Sequence, residues 1–328
     1  AALDAIGREV TYIGSSRAPV LVRAYLTESV PSPGALVPDD QGHYRIRGIH
    51  PGRLDDLEEA FQQGRRPRPA QTVGYSRLGE ERLRSLWGQM IPLQRLSGQP
   101  LHIDQSVRIT EAVRRALTAH LPNAAPGMLT GHAQDGRRLL GEHLAIVPLP
   151  RIGDRYADGE ILGVGLLLPV ACSDAEYEQL LQGLQSWLAA GARVDIGDVT
   201  WRMKVTHGDE RLALRPDRYA GFGETWVTAT PVICDRHPRR TLTLRDVVSD
   251  MCRDVGLPPP EAVVAAPYGS LKGSADSRSH SLGQRAYLAK RYTTHLTVTW
   301  SRKVPGPILL GRGRYFGMGA MLPSREAA

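Results

Sequence analysis

Residues 161–190 read Ile161-Leu-Gly-Val-Gly-Leu-Leu-Leu-Pro-Val-Ala-Cys-Ser173-Asp-Ala-Glu-Tyr-Glu-Gln-Leu-Leu-Gln-Gly-Leu-Gln-Ser-Trp-Leu-Ala-Ala190. Ile161 to Leu168 is short, apolar and closed by Pro169, which marks a strand. Ser173-Asp174 then caps a helix over Ala175 to Ala190, with Tyr177, Leu180, Leu181, Leu184, Trp187 and Leu188 along one face. Gly191 stops it. Upstream, His143 to Leu149 is a second strand, joined to the first through a loop containing Asp158-Gly159. Before that, Val107, Val113, Ala116, Leu117 and Leu121 share one helix face, ended by Pro122 to Pro126, and Leu93 to Ile103 is strand-like. Downstream, Val194 to Val205 supplies a strand or hairpin. The order β-α-β-β-α-β is that of a ferredoxin-like split βαβ unit.

A second round follows. Thr225 to Cys234 reads as a strand, Leu244 to Val255 as a helix capped by Thr243 and stopped by Gly256, and Ala262 to Ala266 as a short strand. Gly269 to Gln284 is rich in Ser and Gly and reads as flexible and basic. Thr294 to Arg302 alternates as a strand, and Ile308 to Leu322 holds a glycine hairpin. This is an eroded second ferredoxin-like unit, its second helix missing or displaced. The expected fold class is α+β, with tandem ferredoxin-like (RRM-like) domains over 86–208 and 209–328 and a C-terminal glycine-rich hairpin loop. Residues 1–85 form a shorter opening section. It has an amphipathic segment Leu3 to Val10, strands at Val20 to Leu26 and Tyr44 to Arg47, a Pro/Gly-rich loop Pro31 to Gly42 and a helix Arg53 to Gln63. Its basic connector Gly64-Arg-Arg-Pro-Arg-Pro-Ala70 reads as exposed linker.

Composition narrows the partners. Hydrophobic content of 41% with 23% charged residues is that of a soluble globular protein. No apolar run approaches the ~20 residues of a membrane span, and no signal peptide is visible, although the absence of Met at residue 1 points to a processed or partial chain. Cys172, Cys234 and Cys252 are widely spaced, form neither a disulfide framework nor a metal-ligand spacing, and fit a reducing cytoplasm. Of 41 Lys/Arg, four are lysine, a bias that a GC-rich genome also produces. Charge placement is more telling. From Tyr268 to Ala328 ten basic residues face two acids, a net of +8, which leaves −1 of the whole-chain +7 for the first 267 residues. A positive field confined to the last fifth of the chain is the footprint of a nucleic-acid binder.

That field surrounds Gly311-Arg-Gly-Arg-Tyr-Phe-Gly-Met-Gly319. Alternating glycines (Gly311, Gly313, Gly317, Gly319) let the backbone approach a phosphate, Arg312 and Arg314 can pair with it, and Tyr315 and Phe316 can stack on bases. No Gly-Lys-Ser/Thr follows, so this is not a P-loop, and no helix pattern follows as in a dinucleotide fingerprint. A hairpin serving structure alone is the competing reading.

Four stretches in order carry a family resemblance: Gly131-His-Ala-Gln-Asp-Gly136, His143-Leu-Ala-Ile-Val-Pro-Leu-Pro150, Ala157-Asp-Gly-Glu-Ile-Leu-Gly-Val-Gly-Leu-Leu-Leu-Pro169 and Gly311 to Gly319. Together they resemble the RAMP superfamily of CRISPR proteins. Within it, they resemble the type I-U (I-G) Cascade subunit that fuses a crRNA 5′-handle-binding subunit to a repeat-processing endoribonuclease. The resemblance covers about residues 86 to 323, and residues 1–85 look like the C-terminal remnant of the handle-binding half. It implies cleavage of CRISPR repeat RNA without metal or cofactor, by attack of a ribose 2′-OH that leaves a 2′,3′-cyclic phosphate and a 5′-OH. It also implies retention of the crRNA 3′ stem-loop, with Cascade backbone and large subunits and, through the complex, target DNA as partners.

Such chemistry needs a general base, a general acid and cations for the phosphorane. His132, with Asp135 placed to orient it, and His143 are the first candidates, with Arg137, Arg138 and Arg151 near enough in sequence to face a phosphate. His280, in the basic loop with Lys272 and Arg278, is the next. The alternatives are a loop His132 that braces a turn with Asp135 and a strand-end His143 that merely caps the sheet. A non-catalytic RNA-binding scaffold of the same superfamily is the competing function.

Overall fold

The computed structural model describes residues 35–39, 44–47, 53–64, 72–77, 83, 85–122, 125–133, 135–137, 139, 141–206 and 211–324. The expected segments at Leu3 to Val10 and Val20 to Leu26, most of the connector at 64–70, Arg138 and His207 lie outside them. Two compact units divide the chain, residues 1–81 and 82–328. In the first, β1 (Leu36–Pro38) and β2 (Tyr44–Arg47) both pair antiparallel with β3 (Thr72–Arg77), and α1 (Arg53–Gln62) lies between β2 and β3 in sequence. Strand β3 went unread in the sequence, since the alternation in Thr72-Val-Gly-Tyr-Ser-Arg77 is short and Gly74 interrupts it.

The second unit begins with β4 (Trp87–Ser97), α2 (Ser106–Thr118), the single-turn α3 (Gly127–Thr130), β5 (Ala145–Pro150), β6 (Ile161–Pro169) and α4 (Asp174–Ala189). The hairpin β7 (Arg193–Ile196) and β8 (Val199–Val205) follows. The sheet order β5-β6-β4-β8-β7, antiparallel throughout, is ferredoxin-like with one extra edge strand. Ser173 and Glu176 form a full capping box at the start of α4.

β6 is buried along all nine residues because both of its faces are covered. Val164, Leu166 and Leu168 join the core under α2 and α4, with Val113, Leu117, Leu184 and Trp187. Leu162 and Leu167 face the other way, into a core shared with Leu309, Ala320 and Leu322 of the second half. Strand β4 starts at Trp87, earlier than Leu93, because Trp87 and Met90 also enter that shared core.

The second half repeats the topology. β9 (Phe222–Thr228), α5 (Leu244–Arg253), β11 (Ala262–Ala266), β12 (Thr293–Pro305) and β13 (Met321–Pro323) give the order β11-β12-β9-β13, with the short β10 (Val232–Ile233) beside the start of β12. The expected continuous strand from Thr225 to Cys234 is broken. Pro231 has no N–H to give a ladder, and the amides of Ala229 and Thr230 turn instead to the carbonyl of Ala320.

Where a second helix would stand, the chain forms a loop from Gly306 to Ala320. It is pinned at its base by the bridge Leu309↔Ala320 and carries a 3-10 turn over Arg314–Phe316. It is therefore not an exposed hairpin, for most of it is buried. Thr110 Oγ1 donates to the Phe316 carbonyl at 2.8 Å, tying the loop to α2.

The stretch 269–284, expected to be flexible, is laid down on the first half. Gly153 N–H donates to the Lys272 carbonyl, Ser281 N–H to that of Asp104, and Leu271 packs into the shared core. No helix among the described residues is long and apolar enough to cross a membrane.

Candidate active site

A cleft of about 460 Å³ opens where the loop after α3, the helix α2 and the glycine loop meet. Among its lining residues are Arg114, His132, His143, Arg285, Arg312 and Arg314.

His143, expected to start a strand, sits two residues before β5. Its ring stacks on Tyr315 with centroids 3.6 Å apart and planes 20° from parallel. Tyr315 is braced in turn by the edge of Trp87, and its hydroxyl donates to the Gly141 carbonyl. Gly131 makes the room. Its φ is +76°, and a Cβ there would come within 3.0 Å of His143 Cδ2.

His132 lies two residues from Thr130, whose hydroxyl accepts its backbone N–H. Both imidazoles make the same local contact, Nδ1 to the carbonyl two residues back: Thr130 for His132 and Gly141 for His143, each at 3.2 Å. A carbonyl can only accept, so Nδ1 carries a proton in each ring, and in the neutral form Nε2 keeps a lone pair. Asp135 does not orient His132, because its carboxylate accepts the Arg137 amide and pairs with the Arg137 guanidinium.

Burial pulls the His143 imidazole down to about 4, helped by the charges of Arg114 and Arg314 and opposed by the bond to Gly141. At neutral pH it is an uncharged base. Arg114 is itself pushed down to about 10 by burial and by the neighbouring charge of Arg285. Its Nη2 donates at 2.8 Å to both Leu144 and Tyr315 carbonyls, tying the strand beside His143 to the ring stacked on it. Arg285 pairs with Glu111 at 2.7 Å, and Arg312 with Asp235 at 2.9 Å.

The glycine loop departs from an open cradle. Gly311, Gly313, Gly317 and Gly319 are buried, and the amides of Arg312, Phe316, Met318 and Gly319 are spent on Ile233, Gly313, Gly313 and Pro231 carbonyls. Phe316 is 8% exposed, with the Arg285 guanidinium 4.0 Å over its ring, so that face is not free for a base. Arg312, Arg314 and Tyr315 do reach the cleft.

Other expected residues lie elsewhere. Arg151 is held by Asp158 and Glu160. Lys272 Nζ donates to the Arg155 carbonyl, while Arg137 and Arg278 are exposed and do not line the cleft. His280 is 7% exposed and bonds the Asp276 carbonyl near His295, whose two ring nitrogens contact Thr228 and the Ala275 carbonyl. Neither histidine lines the cleft.

Sequence reasoning missed Arg114 and Arg285. The signal for Arg114 was present, since Val107, Thr110, Arg114 and Leu117 fall on one helical face, which puts an arginine at the margin of a buried stripe. Arg285 lies one residue past a stretch read as flexible.

These buried histidines set an acid limit on stability. His143 and His280 both titrate near 4, and His295 below its usual 6.5, all chiefly through burial. Their unfolded forms bind protons first, so their contribution is complete above about pH 6.5 and is lost as pH falls toward 4. Thermal melts between those values should show a steady fall in midpoint, less steep in His280→Gln. A flat profile would contradict the neutral buried rings.

A family model described as CRISPR-associated protein, GSU0054 family, matches residues 20–323. Among solved structures, a chain titled CRISPR associated protein Cas6 aligns at 11% identity over 72% of this chain and 98% of its own, with a TM-score of 0.35. No curated protein matches.

Proposed function

The chain belongs to the GSU0054 family of CRISPR-associated proteins, and from that premise we propose that it is an endoribonuclease that cuts CRISPR repeat RNA without a metal ion. The observation that carries this reading is the pairing of two imidazoles, each with a free Nε2, in a cleft lined by four arginines.

In the proposed reaction His143 Nε2 takes the proton of the ribose 2′-OH. The 2′-oxygen forms a bond to phosphorus, the bond from phosphorus to the 5′-oxygen breaks, and His132, entering as the imidazolium with a proton on Nε2, supplies that proton to the leaving oxygen. A 2′,3′-cyclic phosphate and a 5′-OH result, and no other reactant is consumed. Burial is the main cause of the low His143 value, and the entering anionic phosphate offsets the arginine charges that add to it, which raises its basicity as RNA binds. Arg312, Arg314 and Tyr315 hold the RNA. On this reading the protein stays on the 3′ stem-loop of its product as a Cascade subunit, and residues 1–85 are the end of a handle-binding half.

One observation favours a second reading, a non-catalytic RNA scaffold: His143 lies face-on against Tyr315, as a structural ring would. Labelled repeat RNA incubated with the protein in EDTA separates the two. Cleavage to a cyclic-phosphate end is expected, and intact RNA bound by folded protein would leave the scaffold.

A further inference from the structure

The four cleft arginines are unequally neutralised. Arg312 and Arg285 each have a carboxylate, Asp235 and Glu111. Among the described residues no carboxylate pairs with Arg114 or Arg314, whose bonded partners are carbonyls: Leu144 and Tyr315 for the first, Gly311 for the second. Each also keeps a buried guanidinium nitrogen with no hydrogen-bond partner, Nη1 of Arg114 and Nε of Arg314, as does Arg285 at Nε, although that group has the Glu111 carboxylate beside it. Buried cationic donors left unbonded are costly, so such a pair in one cleft calls for an acceptor that the protein does not supply. The remaining acid on the cleft wall is Asp254. His143 stays uncharged between the two guanidiniums and adds no third positive charge.

We infer that the cleft seats a doubly charged, phosphate-sized oxyanion between Arg114 and Arg314. Two guanidiniums with no carboxylate partner favour a dianion over a monoanion, with Asp254 the one further cleft acid that works against it. The identity of that dianion rests on the cleavage reading. A backbone phosphodiester carries one negative charge, and the phosphorane formed when the 2′-oxygen adds carries two. A site balanced for two therefore holds the transition state more tightly than the ground state. Arg114, buried and doubly anchored, is on this argument a catalytic residue and more than a brace for Tyr315.

The test needs no RNA at first. Thermal melts of the intact protein are titrated with sulfate, a dianion, and with dimethyl phosphate, a monoanion diester, at ionic strength matched with chloride. Sulfate should raise the midpoint saturably and at lower concentration than dimethyl phosphate. Arg114→Gln and Arg314→Gln should each weaken the sulfate response about tenfold, the loss of one charge-assisted contact. Arg236→Gln, outside the cleft, should leave it intact. Equal responses to the two anions, no saturation, or an unchanged response in both cleft variants would overturn the site. If Arg114→Gln fails to fold, Arg114→Lys and Arg314→Gln carry the test.

A second arm identifies the dianion. Arg114→Lys should cut RNA more slowly while binding it as well as the parent. Tighter binding of 3′-phosphorylated than 3′-hydroxyl RNA, with the cutting rate unchanged in Arg114→Lys, would assign the seat to a terminal phosphate and overturn the phosphorane. A sulfate site in a protein that leaves RNA uncut keeps the inference and removes the cleavage reading; cutting without a sulfate site does the reverse.

Discussion

His143→Ala is expected to slow cleavage of repeat RNA by about 10²–10⁴-fold, the usual worth of a positioned general base, while RNA binding is retained. The basis is its lone pair on Nε2, its neutral state and its fixed ring, stacked 3.6 Å from Tyr315 and bonded through Nδ1 to Gly141. The sign of the pH dependence follows. A base works when deprotonated, so activity persists at every pH above its own titration. For the free protein that point lies near 4, and the acid limb of kcat/KM should fall there and not near the ordinary value of about 6.5. His132→Ala should bring a loss of similar size through the acid step. Single-turnover rates across pH measure both. If both variants cut at the parental rate, the chemistry lies elsewhere. His280, buried beside His295 and outside the cleft, is a poor substitute.

Gly317→Ala is expected to destabilise the second unit by about 2–4 kcal/mol, from left-handed strain plus overpacking. Gly317 has φ +85°, and a Cβ there would stand 2.8 Å from Pro148 Cδ and 2.9 Å from Thr110 Cγ2, two atoms that belong to packed elements of the first half. Relief requires the loop to lift, and with it go Arg314 and Tyr315. The melting midpoint should drop by about 2–4 °C per kcal/mol, and RNA cleavage should fall with it. Gly136→Ala is the matched control, since Gly136 also has positive φ but nothing stands within 4 Å of its added methyl. A Gly317 variant no worse than the Gly136 variant would mean the loop is not held in this seat.

Much of the fold was legible because its signals are local. The cap at Ser173, the apolar stripe of α4 and the stop at Gly256 depend on neighbours a few residues away, and α4 and α5 each lie within two residues of their expected ends. The continuous apolar character of β6 was visible too, but its reason was not. A strand that is buried on both faces needs a second layer, and nothing in residues 161–168 says that Leu309 and Leu322 provide it.

The site was half legible for the same reason. His132, His143, Arg312, Arg314 and Tyr315 come together, whereas Arg151 and Lys272, equally plausible by charge, are consumed by Asp158 and by the Arg155 carbonyl. The sequence marks which residues are basic. It does not mark which of them already have a partner. The buried glycines show the same limit from the other side, for they suit close packing as well as they suit a phosphate.

The loop that replaces the missing helix also sets when the cleft can exist. Thr110 meets the carbonyl of Phe316 across 206 residues, Arg114 meets that of Tyr315 across 201, and Tyr315 meets that of Gly141 across 174. Contacts so distant in sequence need a long closure that local elements do not, and they form late. A folding chain would thus have both sheets largely in place before His143 has its stacking partner, and a nearly folded molecule would already be compact and still inert.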